Sequence, residues 1–206
     1  MTPVGFEAVV DDAVAAIRDE KAVVLPTDTV YGLVADGYRE RAAALLYALK
    51  GRPESIPCAL LAADLDAILD AVPELRGGPA VAARTLLPGP YTLVLPNPGR
   101  RFRWLCGGNS QAIGIRVPEL PPLARCIVER AGALASTSAN LHGDPDPGTV
   151  DEIAPVVRER AAVVVDEGRL PGTPSTVLDL TGAAPRVLRE GAGDVAHALQ
   201  RLADLQ

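Results

Sequence analysis

Apolar positions recur with two different periods along almost the whole chain. Phe6, Val9, Val10, Ala13, Val14 and Ile17 are spaced by three and four, which predicts one helix with a single buried face. Ala22–Leu25 is a short apolar run closed by Pro26, a buried-strand pattern. Glu40–Lys50 is rich in Ala and Leu, and Gly51 and Pro53 terminate it as they terminate helices. The same reading predicts helices at 65–72, 80–87, 120–130, 150–160 and 195–205. It predicts strands at 58–62, 91–95, 113–117, 134–136, 163–165, 176–180 and 186–188. Eight strands and seven helices interleave without a break in composition, so the expected class is α/β, a mixed sheet with helices on its faces. Pro96–Ser110 and Leu141–Thr149 are loops rich in Gly, Pro, Asn and Asp, too short to read as domain linkers.

Composition narrows this picture. In 206 residues, 48% are apolar and 22% charged, ordinary values for a globular chain. Aromatics are only 3%, so Ala, Val and Leu must supply the core. Twenty basic against 26 acidic residues give a net charge of −6, which disfavours a uniformly basic nucleic-acid binder but permits a local basic patch. Cys58, Cys106 and Cys126 are odd in number and lack a C-x-x-C pair, so buried reduced thiols are expected in place of a disulfide frame or a zinc site. The acidic N-terminal stretch lacks the basic region of a signal peptide, and no apolar run approaches 18 residues. A cytoplasmic location is expected.

Two generic signatures carry little. Gly191-Ala-Gly193 lies too near the C-terminus to open a dinucleotide-binding unit and reads as a tight turn before a helix. Ser138, His142 and Asp144 form no plausible triad, because triad members come from separate segments. The informative residues sit at predicted strand and helix ends: the hydroxyl-rich loop Pro26–Leu33, Lys50-Gly51-Arg52, Arg116, Ser136-Thr137-Ser138-Ala139-Asn140, Ser175-Thr176 and Arg189. Ligands of open α/β sheets bind beyond strand ends. Guanidiniums that fork onto oxyanions, an ammonium and several hydroxyls suit a polyanion, each charge-assisted hydrogen bond being worth about 1.5–3 kcal/mol. The plainer alternative is that Lys50 and Arg52 complement a helix dipole while Arg116 pairs with Glu119.

These blocks, with Pro88-Gly89-Pro90-Tyr91-Thr92 and Ile115-Arg116-Val117-Pro118, stand in the order found in YrdC-like threonylcarbamoyl-AMP synthases, and the resemblance runs from about residue 8 to 200. It implies an open, twisted mixed sheet around a concave, positively charged cleft. It also implies a nucleotidyl transfer: L-threonine, bicarbonate and ATP give threonylcarbamoyl-AMP and pyrophosphate, for modification of adenosine 37 in tRNA. By that resemblance Thr29, Arg116, Ser136 and Ser175 hold threonine. Lys50, Arg52, Ser138, Asn140 and Arg189 hold the nucleotide, with Lys50 and Arg52 catalytic. Mg²⁺ arrives with ATP, without a dedicated set of carboxylates. Longer members carry a second domain, so residues 1–206 are expected to form the short, single-domain version, with tRNA or modification proteins as transient partners.

The chain departs from the family pattern at Ile56 and Leu61, where relatives often have Asn and His, at Ala112 in place of Thr, and at Asp146 in place of Ser. Two competing readings follow. One is a paralogue acting on another amine or carbamoyl donor. The other is an RNA-binding module using Arg100-Arg101-Phe102-Arg103-Trp104, whose cations and aromatics could grip phosphates and stack a base. The plainer account of that segment is a loop rim whose aromatics cover the sheet edge.

Overall fold

The computed structural model of the chain describes residues 3–205. In order these form α1 (Pro3–Arg18), β1 (Val23–Pro26), β2 (Tyr31–Asp36), α2 (Glu40–Lys50), β3 (Ala59–Leu61), α3 (Leu65–Ala71), α4 (Gly78–Leu86), β4 (Tyr91–Pro96), β5 (Ala112–Arg116), α5 (Pro122–Ala131), β6 (Leu134–Ser138), α6 (Pro155–Arg160), β7 (Val163–Val164), β8 (Thr176–Asp179), β9 (Arg186–Arg189) and α7 (Val195–Ala203). Nine strands join in one sheet, ordered β7-β1-β2-β6-β3-β5-β4-β8-β9. Pairing is parallel at β1/β7, β3/β5 and β4/β8 and antiparallel elsewhere, so the sheet is mixed, as expected.

Two expectations need correction. Tyr31–Asp36 is a strand, whereas its first residues read as part of a hydroxyl-rich loop. Its first five residues are all buried, so it shows no alternation to betray it. Residues 150–160 are not one helix: a 3₁₀ turn at Val150–Glu152 is followed by α6, because Pro155 has no N–H to continue a ladder and takes a first-turn position instead.

The two faces of the sheet are covered unequally. One face presents Val24, Leu33, Ala35, Leu60, Ala135, Leu93, Leu95, Ile113, Ile115 and Leu178 to α2, α3, α4 and α7, building the larger apolar cluster. Each fully buried Leu or Ile there stabilises the fold by roughly 1.5–3 kcal/mol. On the other face α1 and α5 pack together over Val23, Leu25, Val34, Leu61 and Leu134. These helices cover only half of that face. Beyond them its side chains include Ala59, Thr92, Val94, Ala112, Gly114 and Ser136, and among the described residues no helix lies over them.

The Gly191-Ala-Gly193 motif proves to be a packing device. A Cβ at Gly191 would collide with the Pro174 carbonyl, and one at Gly193 with the Tyr91 ring. Tyr91 Oη donates to Asp194 O, and the Asp194 carboxylate accepts from His197 N at 2.9 Å to cap α7. All three cysteines are free thiols; Cys58 and Cys106 are buried and Cys126 is partly exposed. No helix among the described residues is long and apolar enough to cross a membrane.

Candidate active site on the open half of the sheet

The uncovered half-face is the floor of a cleft of about 590 Å³, a size suited to a small-molecule ligand. Arg52, Arg116, Arg186, Arg189, Asp146 and Asp179 supply its charged lining. Ser136, Thr137, Ser138 and Ser175 line it as well, so most of the residues singled out from sequence converge here. Lys50, Thr29 and Asn140 are not among the lining residues, but each is bonded to a residue of the site: Thr29 to Arg116, and Lys50 and Asn140 to each other and to Ser138. A more open depression of about 710 Å³ lies at the end of α1 and along α2, lined by Arg18, Asp19, Glu20, Lys21 and Arg41, with Lys21 paired to Asp19; none of the residues picked out at strand ends lines it.

Arg116, at the end of β5, is buried with its side chain only 9% exposed. Its Nη2 donates to Asp28 Oδ1 at 2.6 Å, Thr29 Oγ1 at 2.5 Å and Thr27 Oγ1 at 3.3 Å. Thr27 Oγ1 donates to Val30 O and accepts from the Thr29 and Val30 N–H groups, which fixes the β1–β2 turn. Burial pulls the Arg116 pKa below its ordinary value, and Asp28 opposes that shift. The suggested Arg116–Glu119 pair does not form: Asp28 takes the arginine, and Glu119 contributes only its backbone N–H to Asp28 Oδ2. Arg116 Nε remains buried without an acceptor.

The end of α2 sends two cations in different directions. Gly51 adopts a left-handed conformation with φ of 60°, and Arg52 N donates to Tyr47 O, a glycine-ended helix cap. Lys50 is thereby turned inward, 2% exposed. Its ammonium donates to Ser138 O at 2.5 Å, Asn140 O at 2.6 Å and Asn140 Oδ1 at 2.7 Å. All three N–H bonds go to the loop after β6, so Lys50 ties the end of α2 to that loop. Ser138 Oγ donates to the same Asn140 Oδ1, and Asn140 Nδ2 donates to Asp144 O. Arg52 turns toward the cleft, where Nη1 donates to Thr137 Oγ1 at 3.1 Å and Nη2 to Pro57 O at 2.7 Å, while Nε is buried and unpaired.

At the far rim, Arg189 donates from Nε and Nη2 to Ser175 O, and Ser175 Oγ bonds Thr92 Oγ1 at 2.8 Å. Arg186 pairs with Asp179, whose carboxylate also accepts from the Thr181 hydroxyl. Asp28 and Thr92 fall within blocks quoted from the sequence but were given no role there, and the Arg186–Asp179 pair was not singled out. Thr92 was findable, because it alternates with Leu93 in β4 and so faces away from the core. The departures divide: Ile56, Ala112 and Asp146 line the cleft, whereas Leu61, in register with Arg116, lies 1% exposed beneath α1 and α5. The aromatic segment is not a stacking platform. Phe102 is 7% exposed against Tyr38, Trp104 Nε1 donates to Gly37 O, and Arg101 pairs with Glu74. Among the described residues no group of three or more His, Cys, Asp or Glu could hold a metal ion by itself.

The Sua5/YciO/YrdC family model, described as telomere recombination, matches residues 15–191. A Mycobacterium tuberculosis protein provisionally named threonylcarbamoyl-AMP synthase is 35% identical over 180 residues, covering 87% of this chain and 82% of that one. The threonylcarbamoyl-AMP synthase of Bacillus subtilis is 34% identical over 185 residues, covering 87% of this chain and 52% of the longer relative. Among solved structures, Pyrococcus abyssi Sua5 complexed with L-threonine superposes with a TM-score of 0.85 at 30% identity, over 93% of this chain and 56% of that one. Escherichia coli YciO superposes with a TM-score of 0.81 at 27% identity, over 92% of both chains. With its fold, its motif order and these relatives in agreement, the chain belongs to the Sua5/YciO/YrdC family.

Proposed function

We propose that the chain is an L-threonylcarbamoyladenylate synthase, a nucleotidyltransferase converting L-threonine, bicarbonate and ATP into threonylcarbamoyl-AMP, pyrophosphate and water. The observation that carries this reading is the convergence of Arg52, Arg116, Ser138, Ser175 and Arg189 on one cleft of a chain related to threonylcarbamoyl-AMP synthases. The product would serve the threonylcarbamoyl modification of tRNA adenosine 37 in the cytoplasm.

The amino group of threonine first becomes a carbamate. A carbamate oxygen then attacks the α-phosphorus of ATP, and the bond from that phosphorus to the bridging oxygen breaks to release pyrophosphate. No protein nucleophile is needed for this transfer. Catalysis rests on positioning and on fixed positive charge around the phosphoryl oxygens. Four arginines against two aspartates in the lining support a positive surface for the triphosphate. Arg116, held by Asp28 through Nη2 and lining the cleft, suits the threonine carboxylate, flanked by Ser136 and Ser175. Arg52, Ser138 and Arg189 suit the phosphates. Lys50 and Asn140 shape the loop that presents Ser138. Mg²⁺ enters as part of the nucleotide substrate; the lining offers it at most the Asp146 carboxylate, the other cleft aspartate being paired with Arg186.

Ile56 and Ala112 in the lining keep a second reading alive, a paralogue that uses a different amine. Pyrophosphate release from ATP, with threonine and bicarbonate omitted in turn, separates the two. Release that requires both supports the synthase. Release that persists without threonine, or responds equally to valine, contradicts it, because a site built around a substrate hydroxyl discriminates strongly against an analogue lacking it.

A further inference from the structure

Six charged side chains line the cleft, and five of them are engaged. Arg52 is bonded to Thr137 and Pro57, Arg116 to Asp28, Arg189 to Ser175, and Arg186 and Asp179 to each other. The sixth, Asp146, is half-buried and receives no hydrogen bond or ion pair from any described residue. Its position is fixed by its neighbour: Tyr31 N donates to Pro147 O at 2.9 Å, which seats Asp146 alongside Val30 and the Thr27–Thr29 corner that holds Arg116. Its charge bears on both Arg116 and Lys50.

A bare carboxylate in a site for a triphosphate repels that ligand unless the ligands themselves bring a cation. Beside it Arg116, nine-tenths buried, lines the cleft with a guanidinium whose bonds all leave from Nη2, so that Nη1 has no acceptor among the described residues. A free guanidinium N–H and a free carboxylate at one corner are complementary to the two charges of an amino-acid zwitterion. Resting on the threonine reading above, we propose that Asp146 binds the α-ammonium of the amino-acid substrate while Arg116 takes its carboxylate. Asp146 is then a specificity residue of this chain: it selects a zwitterion over a simple hydroxy acid before the amine is carboxylated.

Calorimetric binding tests this with wild type, Asp146→Asn and Asp146→Ser. The ligands are L-threonine, 2,3-dihydroxybutanoate (a hydroxyl in place of the ammonium) and ATP with and without Mg²⁺. The expected result is a threonine Kd raised about tenfold or more in both variants, through loss of a charge-assisted bond. Binding of 2,3-dihydroxybutanoate stays unchanged, and ATP binds as well as before or better. Wild-type threonine affinity in either variant that melts like wild type overturns the proposal alone. A loss of ATP affinity confined to solutions with Mg²⁺ also overturns it, by assigning Asp146 to the metal. A wild-type protein that does not bind threonine overturns the synthase reading, and this assignment with it.

Discussion

Arg52 and Arg116 each bury an Nε–H that finds no acceptor in the protein. Leaving a buried charged donor unpaired costs about 1–3 kcal/mol or more, so both guanidiniums are held at some expense of folding stability. For Arg52 the consequence is direct. If it only complemented the end of α2, its removal would cost about 0.3–1 kcal/mol of stability and spare turnover. As a ligand for the triphosphate, Arg52→Ala should instead lose several kcal/mol of transition-state stabilisation, roughly 10²–10³ in rate, with little change in melting. Arg52→Lys should recover part of this, since an ammonium cannot reproduce a planar fork. Steady-state kinetics beside thermal melts decide it; near-normal turnover in Arg52→Ala removes this residue from the mechanism. Residue types at strand ends were legible in the sequence, and six of the nine residues given a role there line one cleft. Their division of labour was not: Lys50 and Arg52 are two residues apart, and only the left-handed Gly51 cap shows that one points inward and the other into the cleft.

At the scale of elements, the end of α2 and the loop after β6 form one unit, joined through the Lys50 ammonium. Desolvation lowers the Lys50 pKa from the ordinary 10.5 to about 8; Arg52 adds to the shift, while Asp146, Cys58 and Asp144 oppose it. Raising the pH through about 8 therefore removes one of three N–H donors from the loop that presents Ser138, and turnover should fall. Stability should move the other way. Between about 8 and 10.5 the unfolded chain binds more protons at Lys50 than the folded chain, so the contribution of this group to stability rises with pH. Turnover and urea midpoints measured from pH 7 to 9.5 should thus diverge. Turnover that stays flat, or that falls only in step with unfolding, contradicts the link. Elements with a clear period, such as α1 and α5, were readable from sequence because one face is buried and the other wet. β2 was not, since burial on both sides erases alternation, and the break at Pro155 was hidden by apolar residues continuing across it.

For the whole molecule, the decisive feature is a sheet face covered by α1 and α5 over one half and bare over the other. Sequence gives the class of such a fold but not which half-face stays open, because that depends on strand order and register. Gly114 lies in the bare half, in register with Ala59 and Val94. A Cβ there would meet only ordinary contacts at 3.8 Å, so the position tolerates a side chain, and a larger one would project into the cleft. If this cleft carries out the chemistry, Gly114→Leu should block it. Incorporation of labelled bicarbonate into threonylcarbamoyl-AMP should be robust in the wild type and should fall by about 100-fold or more in the variant. A displacement of reacting groups by an ångström costs that much. The melting temperature should stay within a few degrees. Undiminished product from a folded Gly114→Leu protein would mean that the reaction takes place elsewhere on the molecule.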